Sequence, residues 1–454
     1  MPNLDPEERR RLIRKYNRPG PRYTSYPTAL QFAPVGQEDL LADVRHGTGP
    51  LSLYFHLPFC ESLCWFCACT TVITRNPLLA DTYLEGLERE VALFRPNLDP
   101  ARKVEQIHLG GGSPSFLNPA QLDRLGKLIH ANFSVLADAE CSVELDPRGL
   151  SREQVETLAR HGFRRASFGV QDLDPEVQKA VHRVQPDALN RQALAWIRAA
   201  GYHSVNIDLI YGLPHQTVAS FSRTLEQVIT YQPDRLAIFS YAHVPWVAPA
   251  QRILERASLP DPETKLAMLE AVIGQLTAAG YRYIGMDHFA RAGDELVSAL
   301  DNGTLHRNFQ GYSTRAGREL CGFGMSAISQ SGNAYRQNHK ELNAWHAALA
   351  AGRLPIERGY LLSDDDRIRR QVIAGIMCAG RFSFAATSAA SGIDARAYFA
   401  REWANLDDFA ADGLIERDPD GFTLTPLGRL LMRNVAMRFD AHLAELENRH
   451  AKTI

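Results

Sequence analysis

The sequence lacks what a secreted, membrane-bound or nucleic-acid-binding chain would carry. Its opening, Met1-Pro-Asn-Leu-Asp-Pro-Glu-Glu-Arg-Arg-Arg11, has no apolar stretch of the signal-peptide kind. No apolar run is long enough to span a bilayer. Neither sign of charge prevails: 50 Lys and Arg stand against 52 Asp and Glu. A net charge of −2 gives no global attraction to nucleic acid or to an anionic membrane. There are no internal repeats and no low-complexity tracts. Cysteine is scarce too, with seven in 454 residues, and four of the seven fall between Cys60 and Cys69. Such bunching is no disulfide framework and fits a reducing, cytoplasmic compartment. The expectation is a cytoplasmic protein with no membrane and no nucleic-acid partner.

What is present centres on that cysteine stretch, Cys60-Glu-Ser-Leu-Cys64-Trp-Phe-Cys67-Ala-Cys69. It follows a strand-like run, Leu51–Leu57, so the thiols leave the end of a strand and enter a loop. A structural zinc site pairs two ligand couples far apart in sequence, and no second couple exists here. The spacing C-x3-C-x2-C-x-C points instead to an iron–sulfur cluster. Cys60, Cys64 and Cys67 can reach three irons of a cubane. The fourth iron is then open to a small molecule, provided Cys69 is not a ligand.

Around this loop the chain divides into three. Residues 1–50 read as an arm, with a short helix over Glu7–Tyr16 and then Pro21-Arg-Tyr-Thr-Ser-Tyr-Pro-Thr28, where prolines enforce extended backbone. Arg22, Tyr23 and Tyr26 either bind carboxylates and stack on a flat ring, or strap the arm onto the main domain. Over 51–362, strand runs at Leu51–Leu57, Val104–Leu109, Cys141–Leu145, Arg165–Val170, Ser204–Ile210 and Leu236–Tyr241 alternate with helical patterns. Six βα units predict an α/β fold, an incomplete (β/α)6 TIM-like barrel, with a doubly wound sheet as the other option. Tyr281–Met286 would add a strand, and the glycine-rich run around Gly322 would pack under the site. Residues 363–454 read as a small, mostly helical, winged-helix-like lid with a turn at Asp418-Pro-Asp-Gly421. Residues 364–454 hold 12 basic against 14 acidic residues, which argues against a DNA-binding surface.

In either α/β fold, sites lie at the C-terminal ends of the strands. Those ends carry the cysteines, Gly110-Gly-Gly-Ser-Pro114, Glu144 and Asp146, Gln171, Asp208, and Tyr241-Ala-His243. The glycine run is neither G-x-G-x-x-G nor followed by Lys, so dinucleotide and P-loop readings fall away. It either lets backbone approach a ligand or makes a tight turn. Glu144 and Asp208 either hold an ammonium or ribose hydroxyls, or serve as caps and ion-pair partners. Arg183 is either a site residue or a solvated charge. His288 and His306 are either acids, bases and propionate partners, or structural histidines.

The C-x3-C-x2-C spacing resembles the radical S-adenosylmethionine (SAM) enzymes. Nearly end to end, the chain also resembles the oxygen-independent coproporphyrinogen III oxidases. The motifs are Pro21–Ala29, the cysteine loop, Gly110–Pro114, Phe168-Gly-Val-Gln-Asp172, Asp208-Leu-Ile-Tyr-Gly-Leu-Pro214, Tyr241–His243, Gly285–Ala290, His306–Tyr312 and Gly324–Ser329. The resemblance implies a [4Fe-4S] cluster on Cys60, Cys64 and Cys67, with Cys69 in the motif but not a ligand. It implies two SAM molecules. One would touch Tyr54, Gly111, Glu144 and Ile328. The other would touch Phe66, Gly112, Ser113, Gln171, Arg183, Asp208 and Ala242. Ala68 and Ser113 replace a glycine and a threonine of the family pattern, and both keep size or hydroxyl chemistry. The implied reaction is oxidative decarboxylation of two propionates of coproporphyrinogen III to vinyl groups, giving protoporphyrinogen IX. Arg22 and Tyr23 would close over this porphyrinogen substrate. A reducing, flavodoxin-like electron donor protein and a monomeric state are further expectations. The alternatives are a related haem chaperone, which would lack Cys69 and the arm, or another radical SAM enzyme acting on a porphyrin.

Overall fold

The computed structural model describes residues 6–443 and 450–453. Its frame is one twelve-stranded sheet. Six strands run parallel in sequence order: β1 (Leu51–Leu57), β2 (Lys103–Gly111), β3 (Ser134–Leu145), β4 (Arg165–Gln171), β5 (Ser204–Tyr211) and β6 (Arg235–Ser240). Between them run the helices Leu78–Phe94, Pro119–Asn132, Arg152–Arg160, Asp187–Ala199 and Val218–Ile229, and Pro262–Ala278 follows β6. Three of these helices start with reciprocal caps, Asn118 with Gln121, Ser151 with Gln154 and Thr217 with Ser220. The apolar side chains turned outward, among them Leu53, Phe55, Val143, Ile207 and Val205, meet Leu84, Leu125, Val155, Leu225 and Val228 of the helices in one buried core.

Beyond β6 the sheet continues through β8 (His288–Arg291) to β7 (Tyr281–Gly285), both pairings being antiparallel. The Tyr281 strand thus exists, but it joins through a hairpin rather than extending the parallel run. On the other side β1 pairs in parallel with β9 (Glu319–Phe323), followed by β10 (Ile328–Gln330), β11 (Ala334–Asn338) and β12 (Ile356–Leu361) in antiparallel array. The Gly322 run is itself a strand of the sheet, beside β1. Gly322 sits opposite Tyr54, where an added Cβ would come within 2.6 Å of the Ile328 carbonyl oxygen. The two outermost strands, β7 and β12, are not paired with each other. The barrel is incomplete, as the sequence pattern predicts.

After residue 362 a second core begins. The helix Asp364–Ala379 starts from Ser363, whose hydroxyl caps Asp366 N. A three-stranded wing follows, β13 (Arg381–Ser383), β14 (Ile415–Asp418) and β15 (Gly421–Leu424), in the order β13-β15-β14. Phe382, Phe399 and Phe439 centre this core, which also takes in Leu12, Tyr16, Tyr23 and Tyr26. The arm's tyrosines thus pack with the C-terminal unit and not with the main domain's core.

Candidate active site

The cysteine loop is closed at its base by a two-residue parallel ladder, Phe59–Cys60 against Val72–Ile73. Val72 N donates to Pro58 O at 2.8 Å and Thr74 N to Cys60 O at 2.9 Å. Within the loop Cys67 N donates to Cys64 O at 3.0 Å. All four thiols are free. Two guanidiniums attend Cys64 Sγ, from Arg183 at 3.5 Å and Arg148 at 3.6 Å. Asp146 pairs with both, at 3.3 and 2.6 Å. Cationic neighbours suit a sulfur that is to carry negative charge. Hydrogen bonding to the exposed Cys69 pulls the Cys67 thiol down to about 7. Among the described residues no three His, Cys, Asp or Glu side chains converge as they would on one ion. A cubane asks less, because each thiolate meets a different iron.

The end of β2 is tied to this loop. Gly112 N donates to Leu57 O at 2.8 Å and Ser113 N to Phe59 O at 2.9 Å. Gly111 has φ +118°, and a Cβ there would fall 2.6 Å from the His56 ring. On Gly112 it would fall 2.4 Å from Pro58 O. Only glycine lets this floor pack so closely against the base of the cysteine loop.

Glu144, at the end of β3, crosses to the same floor. Its carboxylate accepts from Gly111 N at 3.1 Å and meets His108 Nε2 at 3.2 Å. Burial pushes this acid up, but the His108 and Gly111 contacts outweigh it and hold the group below its ordinary value. Tyr54 stacks on His108, ring centres 5.9 Å apart, and its hydroxyl reaches His56 Nδ1 at 3.0 Å. Asp208, three residues before the end of β5, accepts from Ser167 Oγ at 3.0 Å and Asn206 Nδ2 at 2.7 Å. Burial and the nearby Glu144 charge push it up to about 6. Gln171, at the end of β4, has φ +66°. Its Oε1 is buried without a partner, and so is Nε of Arg183, whose Nη2 donates to Gly169 O at 2.8 Å. Unmet buried groups here fit a ligand that supplies the missing partners.

Comparisons with known proteins bear on family and fold. The description Radical SAM superfamily matches residues 54–228, and HemN C-terminal domain matches 362–431. A curated oxygen-independent coproporphyrinogen III oxidase of Pseudomonas aeruginosa is 47% identical over 441 residues, 96% of each chain. That of Escherichia coli is 46% identical, over 96% of this chain and 95% of its own. The solved structure of the Escherichia coli coproporphyrinogen III oxidase (HemN), described as a radical SAM enzyme, superposes with a TM-score of 0.90 at 45% identity. It covers 93% of this chain and 98% of its own. The chain belongs to the oxygen-independent coproporphyrinogen III oxidases.

In this member of the oxidases, the remaining residues singled out in the sequence lie at the margins of the mouth. Phe66 and Ala242 are joined by a residue that sequence reasoning missed: Gln251 Nε2 donates to Phe66 O at 2.8 Å and to Ala242 O at 3.2 Å. Gln251 is fully buried, in a proline-flanked 3-10 helix with no motif to mark it. His56 and His108 were missed as well, although their position two residues apart from Tyr54 and Gly110 on inward-facing strand positions could have found them. Ile328 opens β10, next to Gly322 and so beside Tyr54. Arg22 is ion-paired with Asp287 and lies 5.6 Å over the Phe239 ring, near the end of β6. Tyr23 is buried, and its hydroxyl donates to Asp440 at 2.9 Å in the C-terminal unit.

Proposed function

We propose that this oxidoreductase decarboxylates two propionates of coproporphyrinogen III to vinyl groups, giving protoporphyrinogen IX without oxygen. What carries the reading is identity of 47% and 46%, over nearly full length, to enzymes of that name. The free thiols and glycine floor support a [4Fe-4S] cluster on Cys60, Cys64 and Cys67 and a SAM cosubstrate. When bound, the two together supply the one-electron cleavage and the radical that takes hydrogen from the propionate β-carbon.

The chain's own residues bind, orient and exclude water. Glu144 is held ionised and suits an ammonium, by direct charge pairing. Asp208, which burial and the Glu144 charge push up to about 6, suits a ribose hydroxyl pair. Tyr54, Gly111 and Ile328 complete the first SAM site. Phe66, Gly112, Ser113, Gln171, Arg183, Asp208 and Ala242 would hold a second SAM, with Oε1 of Gln171 and Nε of Arg183 as unpartnered buried groups among them. In this reading residues 51–362 are the catalytic domain, 1–50 the arm and 363–454 the lid. Arg22 of the arm offers a guanidinium to the substrate's carboxylates. The protein works as a monomer with a reducing, flavodoxin-like donor protein, in the cytoplasm. No helix among the described residues is long and apolar enough to cross a membrane.

The test is anaerobic incubation with SAM, reductant and coproporphyrinogen III. Vinyl porphyrinogen together with methionine and deoxyadenosine is expected. Deoxyadenosine release with the propionates left intact would overturn the substrate assignment.

A further inference from the structure

Arg307 stands out in the packing. It is only 8% exposed, and its Nε and Nη1 have no hydrogen-bond partner. Its compensating contact is the Tyr312 ring, centred 4.8 Å from the guanidinium carbon. A buried cation with no counter-ion is costly to hold, so the position calls for an acceptor that arrives from outside. Arg307 lines a cavity of about 760 Å³ bounded by Tyr23–Tyr26, Gln330–Gly332, Tyr335 and the helix Asp364–Ala379. Arg370 lines the same cavity. Its Nη2 donates to Gly332 O at 2.8 Å, while its Nη1 is buried without a partner.

The other arginines of the wall are committed. Arg102 pairs with Glu319 at 2.9 Å, Arg318 with Glu105 at 2.5 Å, and Arg367 with Asp364. The acid Asp43 accepts from Ser331 and Asn333. Arg307 therefore keeps two nitrogens and Arg370 one without a partner, and both side chains line a space of the size that takes a large organic ligand. The cavity and the mouth share a strand. β10 carries Ile328, proposed above at the first SAM site, and two residues on Gln330, which lines the cavity. Two residues of strand span about 7 Å, less than the width of a tetrapyrrole.

We propose that Arg307 and Arg370 form a carboxylate-anchoring subsite that holds a propionate of the tetrapyrrole not undergoing reaction. This rests on the function proposed above. A planar guanidinium with free N–H groups takes a carboxylate bidentately, and a ring with four propionates always has arms to spare for such anchors.

The test uses the full chain, reconstituted anaerobically, and coproporphyrin III, the air-stable oxidised ring with the same four propionates, titrated by fluorescence. Arg307→Met weakens binding about tenfold or more, Arg307→Lys weakens it less, and Arg370→Gln lowers it by a smaller factor. In turnover these variants raise KM more than they lower kcat. Without the ring, Arg307→Met unfolds at the wild-type temperature or above it, since an unpaired buried charge has been removed. Unchanged ring affinity in Arg307→Met overturns the proposal, and so does displacement of the ring by inorganic phosphate at concentrations matching free coproporphyrin. Wild-type protein that forms vinyl product while Arg307→Met keeps its KM sinks this inference alone. Wild-type protein that binds the ring through Arg307 yet forms no vinyl product sinks the proposed function and leaves the subsite standing.

Discussion

The two halves of the mouth place a carboxylate at matching positions and treat it in opposite ways. On the β1–β3 side Glu144 meets a histidine ring nitrogen and a backbone N–H, and stays below its ordinary pKa despite burial. On the β4–β6 side Asp208 meets only a hydroxyl and an amide, feels Glu144, and rises to about 6. The same functional group on two strands separated by β4 thus yields a fixed anion and a titrating group. The neighbours, rather than the carboxyl itself, assign the roles.

The change with the largest expected effect removes the floor on which both halves rest. Gly112→Ala sets a Cβ against backbone at Pro58, so the cysteine loop must shift. Activity falls about a hundredfold or more, with iron and sulfide content falling too. Full iron content in active Gly112→Ala would contradict the geometry. Next is Glu144→Gln, which keeps shape and removes the charge. Turnover drops about ten- to a hundredfold with iron unchanged, read by assay beside iron analysis.

Asp208→Asn tests the other half, with a loss of turnover at neutral pH smaller than that of Glu144→Gln. Its clearer signature is in stability. The folded pKa of Asp208 lies above the ordinary 3.8. The native state therefore keeps a proton that the unfolded chain has released, and stability falls as pH rises between about 4 and about 6. The fall is about 3 kcal/mol at most, and Asp208→Asn abolishes it. For Glu144 the sign reverses: its contribution is present at neutral pH and is lost as pH falls below 4.5. Anaerobic urea unfolding at pH 4.5 and 7 separates the two, and equal pH slopes in wild type and Asp208→Asn would erase the contrast. The smallest effect is that of Tyr23→Phe. It costs about 1–2 kcal/mol by stripping a donor from the buried Asp440. If Tyr23 serves the core alone, KM stays put; a raised KM would return it to the substrate.

Much of this was legible in the residues. The parallel strands are buried on both faces, β1 almost throughout, and so read as continuous apolar runs set between helical patterns. Strand ends then located the mouth. The strands β9–β12 were not legible, because they are three to six residues long and carry Arg336, Gln337 and Asn338 fully buried. The first half of β3, Ser134–Glu140, mixes apolar and polar residues, is partly exposed and gives no clear period. Tyr23 and Tyr26 could be assigned to a ligand or to packing with equal logic, because their partners lie some four hundred residues on. Gln251 was invisible since it acts through two backbone oxygens, a contact that leaves no pattern in sequence.

The pairing of β1 with β9 bears on how the molecule is made. Leu51 lies beside Val104 on one side and Glu319 on the other. A ribosome adding about 5–20 residues per second delivers the second neighbour on the order of ten to fifty seconds after the first strand has emerged. Until then the strand leading into the cysteines has one flank unzipped, and its long-range closure comes late and slowly. The strand that leads into the cysteines is thus flanked on both sides only once the chain has been made as far as Glu319–Phe323.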